Sequence, residues 1–321
     1  MVSLRRLFKK LKFNYILAYF YFCFYRIGFF KIEDINYDES KEESIELIKC
    51  NERINNPIPK KIWMYWDGVI DKDMEFFPRH VMKINPEWEL TVVSRATLTK
   101  YIPDFDIDNL DMPLANITDL VRLELLNRYG GVWLDFTVIL TKPLEYFLDI
   151  DRVYRYDIIA YYRKVSTIDC KIPAMESWFL AAPAHNIFLQ SCLNEFNLVK
   201  NIGSKNFYSL LSQREDFNDI KQKISPPEYL IVYLVFQIVL RYNAVNAYFR
   251  LSDNSAFLVQ DVLGWRSHKS SIFFLLKNKP KILSPIYKLT SGDRQYFNII
   301  KKNGFISSNS ILGDMFKKSE F

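Results

Sequence analysis

Ile117-Thr118-Asp119-Leu120-Val121-Arg122-Leu123-Glu124-Leu125-Leu126-Asn127-Arg128-Tyr129-Gly130-Gly131-Val132-Trp133-Leu134-Asp135-Phe136-Thr137 is the stretch on which the fold depends. Apolar residues at 117, 120, 121, 123, 125 and 126 keep close to helical spacing, and Gly130 stands where a helix commonly ends on a glycine. Val132 to Leu134 and Val138 to Leu140 read as two extended pieces separated by a polar break at Asp135 to Thr137, with Pro143 closing the run. Upstream, Lys61 to Trp66 reads as a first strand ended by Asp67-Gly68, and Pro78 to Ile84 as a short helix with its proline in the first turn. Trp88 to Val93 follows as a second strand, and Ser94 as the N-cap of a short helix over Ala96 to Tyr101. Alternating strands and helices of this kind predict a parallel sheet flanked by helices, an α/β fold. In such sheets ligands sit beyond the carboxyl ends of strands, where the break after Leu134 falls. Downstream, Ile158 to Tyr162 and Trp178 to Ala182 read as strands, and Ile187 to Val199 and Pro227 to Arg241 as helices. Leu230 to Leu240 has Gln237 as its one strongly polar residue and predicts a buried helix, too short to cross a bilayer.

Two groups of side chains could carry chemistry. Asp119 and Arg122 are three apart on the predicted helix, so they share a face, either as an exposed ion pair or as part of a site. Asp135 and Thr137 are two apart, and in an extended segment both would point to one side and meet a common ligand. Hard oxygen ligands of this sort suit Mg2+ or Mn2+ carried in on a diphosphate, and an Asp that merely caps a turn is the alternative. No phosphate loop of the G-x-x-x-x-G-K-[ST] type, H-E-x-x-H or G-x-S-x-G occurs in the chain.

The stretch Ala115-Asn116-Ile117-Thr118-Asp119-Leu120-Val121-Arg122 followed by Tyr129-Gly130-Gly131-Val132-Trp133-Leu134-Asp135-Phe136-Thr137 resembles the signature of the capsular polysaccharide synthesis proteins. These are similar to the wider group of DXD-containing sugar transferases, with mannosyl-transferring members and glucosylating toxins, whose pattern is A-x-x-S-D-x-x-R and then G-G-x-Y-x-D-x-D. Ile58 to Trp66 also resembles that group's opening strand, so the match runs from Pro57 to Leu144. Thr118 stands for the Ser of the pattern, Trp133 for the Tyr and Thr137 for the second Asp. A hydroxyl is a poorer metal ligand than a carboxylate, so the last change weakens the ion's hold or shifts it to another residue.

The resemblance implies a GT-A fold and a glycosyltransferase that moves a hexose from a nucleotide sugar, UDP-linked, to a lipid-linked saccharide or growing polysaccharide, with retention of anomeric configuration. It implies that Trp66, with Tyr65 before it, meets the nucleotide base, that Asp119 binds sugar hydroxyls and that Arg122 lies near the donor sugar and phosphate. Asp135 would contact the ribose or the Mn2+ or Mg2+ ion, with Thr137 as the second metal contact and Gly131 and Trp133 lining the donor. Glu176 is an acceptor-side candidate or a strand-end surface carboxylate, and Lys288 a candidate to close on the diphosphate. His268 and Asp261, flanking Trp265, could add a metal or phosphate contact. Two rival functions stay open, a capsule-related sugar-phosphate transferase and a non-catalytic membrane-docked scaffold.

The rest of the chain bounds these readings. Residues 1 to 31 hold Arg5, Arg6, Lys9, Lys10, Lys12, Arg26 and Lys31 and no acid, and removing those seven from the 43 basic residues leaves 36 against 37 acidic ones. A neutral body argues against a nucleic-acid partner. Phe13 to Tyr25 is thirteen uncharged, mostly aromatic or aliphatic residues, short of the roughly 20 that a spanning helix needs. It predicts an amphipathic helix on anionic lipid or one packed onto the catalytic domain. Residues 1 to 50 are therefore expected to form a basic, aromatic helical extension and 51 to 321 the catalytic domain, peripheral on the cytoplasmic face of the plasma membrane. Glu33 to Glu46 reads as an acidic linker running into a short surface helix. Cys23, Cys50, Cys170 and Cys192 are widely spaced, as free thiols in a reducing compartment are.

Overall fold

The computed structural model describes residues 15–50, 56–70, 72–105, 110, 112–148 and 155–319. Contacts divide the chain into two compact units, one of Ser40–Asp253 and one whose described residues are 15–39 and 254–319.

The first unit is built on seven strands: β1 (Ser44–Leu47), β2 (Lys61–Tyr65), β3 (Glu89–Val93), β4 (Gly131–Leu134), β6 (Ile158–Tyr162), β7 (Met175–Ala182) and β8 (Ala247–Leu251), with a short β5 (Val138–Leu140) outside the sheet. Their order is β1-β8-β6-β7-β4-β2-β3. The pairs β2/β3, β2/β4 and β6/β8 are parallel, and β7 and β1 run against their neighbours. The expected α/β class is therefore met, with β7 as an opposed strand inserted into an otherwise codirectional central sheet. β4 and β7 are buried along their whole length, which is why neither shows the alternation of a half-exposed strand.

The helices Leu114–Tyr129, Ile187–Ile202 and Ile231–Tyr242 pack on one another, with Leu120, Val121, Phe188, Leu189 and Phe236 in a core that also takes in Trp63 and Trp133 of the sheet. Gln237 is the buried polar exception the sequence flagged. Its Nε2 donates to the Pro173 carbonyl at 2.7 Å and its Oε1 accepts from Gln222 at 2.6 Å, so burial leaves both ends of the amide satisfied. Among the described residues no helix is long and apolar enough to cross a membrane.

Three local expectations are corrected. The helix around Pro78 runs Lys72–Ile84, so the proline lies inside it. Proline removes one backbone donor there, and the buried Phe76, Phe77 and Val81 hold the helix against the sheet regardless. The segment expected to end in a surface helix carries only a single 3-10 turn, Glu39–Lys41, and then β1, antiparallel to β8. Ile45 and Leu47 alternate with exposed neighbours, a period of two that the acidic composition masked. Finally, Asp135 to Thr137 is not extended but a turn, closed by the Val138 N–H on the Asp135 carbonyl at 3.0 Å.

In the second unit a helix over residues 15–26 lies with Phe22 fully buried and its ring 5.7 Å from that of Tyr296, while Tyr21 meets His268 at 4.6 Å. Its other side leaves Ile16, Leu17, Phe20 and Phe24 exposed. Beneath it, the Ser267–Leu275 helix buries Ile272, Phe273 and Phe274, and the strand β9 (Ile286–Lys288) buries Tyr287. The four cysteines are all free thiols.

Candidate active site

The corner at Gly130-Gly131 fixes where the site lies. Gly130 ends the Leu114–Tyr129 helix at φ 64°, its N–H on the Leu126 carbonyl at 2.8 Å, as the sequence predicted. Gly131 follows at φ 106°, and a Cβ on it would stand 2.4 Å from the Lys61 carbonyl oxygen of β2. On Gly130 a Cβ would come within 2.7 Å of the Ala184 backbone nitrogen. Both positions require glycine for conformation and for space. The close approach brings β4 beside β2 in parallel register, Ile62 opposite Val132 and Trp63 opposite Trp133, so the residues that follow the two strands emerge at the same sheet edge. Those residues are Asp135 after β4 and Trp66 after β2.

At that edge the predicted acids and the arginine converge. A terminal nitrogen (Nη2) of Arg122 stands 3.2 Å from Asp119 and 3.7 Å from Asp135, and Nη1 donates to the Ser177 carbonyl of β7 at 2.6 Å. The Trp133 indole N–H donates to the same Asp135 oxygen at 3.1 Å, and the guanidinium lies 5.1 Å from the Trp133 ring. Only 6% of the Arg122 side chain and 8% of that of Asp119 is exposed, against 27% for Asp135. The surface-pair reading of Asp119 and Arg122 is thus overturned, and Asp135 is the member of the trio that meets solvent. Burial raises the Asp119 carboxyl to about 6, opposed by the Arg122 charge and the Asn116 amide and reinforced by Asp135.

Trp66 is half-buried with its ring 4.8 Å from that of Phe136, the residue after Asp135, and its N–H on the Val93 carbonyl at 3.0 Å. Tyr65 is buried at the end of β2, its hydroxyl without a hydrogen-bond partner among the described residues, and burial with the Asp67 charge nearby pushes it up to about 12. Thr137 is buried in the turn, so the premise that it and Asp135 face one ligand from an extended strand does not hold. Glu176 is no surface carboxylate. It is buried on β7 and accepts the Tyr233 hydroxyl at 2.8 Å.

Lys288 belongs to the second unit, half-buried on β9, its ammonium 3.4 Å from the Leu289 carbonyl. There Asp261 accepts the Trp265 indole N–H at 2.7 Å, and His268 stands edge-on to Tyr21. Sequence reasoning missed residues that support Asp119 and Glu176 from afar. Asn116 reaches Asp119 at 3.4 Å and itself accepts the Ser204 hydroxyl at 2.7 Å, and Tyr233 binds Glu176. Asn116 had a signal, since it precedes Asp119 by three on the same helix, whereas Ser204 and Tyr233 had none.

The donor set bears on a metal. Among the described residues no three His, Cys, Asp or Glu side chains gather to hold an ion. A partly exposed Asp135 is nevertheless what an ion arriving on a diphosphate requires, because Mg2+ in such sites is bound by one or two carboxylates plus substrate phosphates. Such a carboxylate fits an ion carried in on the substrate.

An α/β sheet with its charged cluster beyond the carboxyl end of a central parallel strand holds that cluster where open sheets of this class bind ligands. Residues 31–300 match the family described as capsular polysaccharide synthesis protein, and the chain belongs to that family. A segment of 103 residues is 27% identical to glycosyltransferase afumC of Aspergillus fumigatus, covering 27% of this chain and 26% of that protein. The chain thus spans about a quarter of that relative's length. Among solved structures it is similar to the PaToxG glycosyltransferase, at a TM-score of 0.32 and 13% identity over 76% of this chain and 84% of that one. It is also similar to the catalytic domain of alpha-toxin from Clostridium novyi, at a TM-score of 0.34 and 9% identity over 83% and 80% of the two chains. Both are distant likenesses.

Proposed function

We propose that this chain is a glycosyltransferase that moves a hexose from a UDP-linked sugar to a lipid-linked saccharide or growing polysaccharide, with retention of configuration, at the cytoplasmic face of the membrane. The observation that carries the reading is the single buried guanidinium of Arg122 joining Asp119 to Asp135 at the sheet edge where Trp66 also emerges. The family to which the chain belongs supports it.

In this reading residues 51–321 supply the catalysis. Trp66 offers a ring to the uracil base, backed by Phe136. Asp135, held by Arg122 and by the Trp133 indole, meets the donor and would hold a divalent ion. Bound there, Mn2+ or Mg2+ supplies positive charge against which the diphosphate departs. Arg122 adds a fixed charge that is itself buried, where electrostatic stabilisation acts more strongly than in water. Asp119 keeps that charge in place, Lys288 is the candidate to contact the diphosphate and Glu176 to border the acceptor.

The test is a panel of nucleotide sugars with Mn2+, scored for donor hydrolysis and for the nucleotide released. Turnover of one donor to the nucleoside diphosphate is expected, with Asp135→Asn slowing it about a hundredfold or more. Release of the monophosphate would instead establish a sugar-phosphate transferase, and an unchanged rate in Asp135→Asn would remove Asp135 from the chemistry.

A further inference from the structure

The helix over residues 15–26 is aliphatic or aromatic on nearly every side up to Arg26, yet among the described residues only one side is covered. Ala18 and Phe22 are buried, with Tyr21 and Tyr25 half-buried beside them. Ile16, Phe20, Phe24 and Ile27 follow one another at helical spacing on the other side, exposed by 54%, 52%, 44% and 75%, and Phe29 is exposed by 79%. A helix apolar on every side normally lies in a core or a lipid phase. The packed reading of this segment is met on one face, and the other is exposed among the described residues.

At the helix's carboxyl end the same unit encloses an open pocket of about 550 Å3, lined among others by Tyr25, Arg26, Lys31, Asn278, Ser307 and Ser308, and none of its lining residues is acidic. Arg26 donates to the Gly304 carbonyl at 3.1 Å and lies 5.6 Å from the Phe305 ring. Among the described residues it has no carboxylate partner, and Lys31 has no polar partner at all. Asp34, whose charge is felt at Tyr25, is taken up by Lys277 at 2.7 Å. The pocket's residues interleave in sequence with the exposed stripe: Phe24 precedes Tyr25 and Arg26, and Ile27 and Phe29 flank Gly28, another lining residue.

We infer that this pocket is a binding site for the phosphate head group of an anionic lipid, with the exposed apolar stripe entering the bilayer beside it. Two cations without acids and a ring of hydroxyl and amide donors recognise a phosphate. The adjacent stripe makes the source a lipid and not a free anion, since burying it in hydrocarbon is the favourable step that a soluble phosphate lacks. The inference rests on the reading that the chain works at a membrane, and it does not depend on sugar transfer.

The test is flotation of the full chain with vesicles of phosphatidylcholine alone or mixed with phosphatidylglycerol, for wild type, Arg26→Gln, Lys31→Gln and a control, Lys205→Gln, an exposed lysine of the other unit. Binding is expected to the mixed vesicles only, to weaken roughly fivefold for each pocket cation lost and to stay unchanged in the control. Circular dichroism checks that each variant is folded, and Lys31→Gln, which breaks no contact, keeps the test open if Arg26→Gln misfolds. Equal flotation with neutral vesicles would overturn the pocket while leaving membrane docking standing, and no flotation with either would overturn both. Equal weakening in Lys205→Gln would mean that net charge alone is read. In a thermal-shift assay soluble dihexanoylphosphatidylglycerol should stabilise the chain. An equal shift from inorganic phosphate would overturn the lipid source.

Discussion

The charged trio at the sheet edge and the aromatic helix over residues 15–26 treat solvent in opposite ways. Asp119 and Arg122 are charged groups taken out of water and given to one another, while Ile27 and Phe29 are apolar groups left in it. The first region is completed by the protein itself, and its groups were expensive to bury and are costly to separate. The second leaves its apolar groups exposed among the described residues.

Substitutions can break this contrast at several points. The largest effect is expected at Gly131→Ala, where a methyl group would collide with the Lys61 backbone carbonyl, which a rotamer change cannot move. A loss of about 4 kcal/mol or more, read as failure to obtain folded protein or by urea unfolding, marks the corner as the foundation of the site. Arg122→Ala comes next, because it leaves Asp119 buried beside Asp135 without a cation. Chemical denaturation should show a loss of about 3 to 5 kcal/mol, and a loss under about 1 would mean that the trio is not self-completed.

A smaller effect follows from the Asp119 carboxyl being raised to about 6. Between its unfolded value near 3.8 and about 6 the folded chain holds a proton that the unfolded chain has released, so stability from this group falls as pH rises through that window. Asp119→Asn should remove a pH-dependent component of about 1 to 3 kcal/mol from urea-unfolding curves between pH 4 and pH 7. The smallest effect belongs to the other region. Phe24→Ser and Phe29→Ser should change the melting free energy in solution by no more than about 0.5 kcal/mol, since both rings are exposed. A large loss there would show that the stripe is covered by the chain itself.

Much of this was legible in the sequence, and the reasons differ by element. The Leu114–Tyr129 helix and its glycine end were readable because periodicity and cap lie within one segment. The meeting of Asp119, Arg122 and Asp135 was readable from the motif, but not their burial, which comes from Ser177 of β7 and from helices far along the chain. β1 was hidden because four residues of alternation sit inside an acidic run. The turn at Asp135 was misread as extended because a polar break between two apolar pieces fits either form. The expected boundary at residue 50 follows the end of the basic run at Lys31 and of the acidic stretch at Glu46, whereas contacts divide the chain after Glu39 and after Asp253.

The glycine corner has a mechanical consequence. Only the four residues of β4 separate the end of the Leu114–Tyr129 helix at Gly130 from Asp135, and all four are buried with no slack between them. Asp119 and Arg122 ride on the helix and Asp135 on the strand, so the three form one rigid jaw. Whatever displaces the helix along its axis displaces the whole grip at once, and with it the charge that Arg122 holds between the two acids.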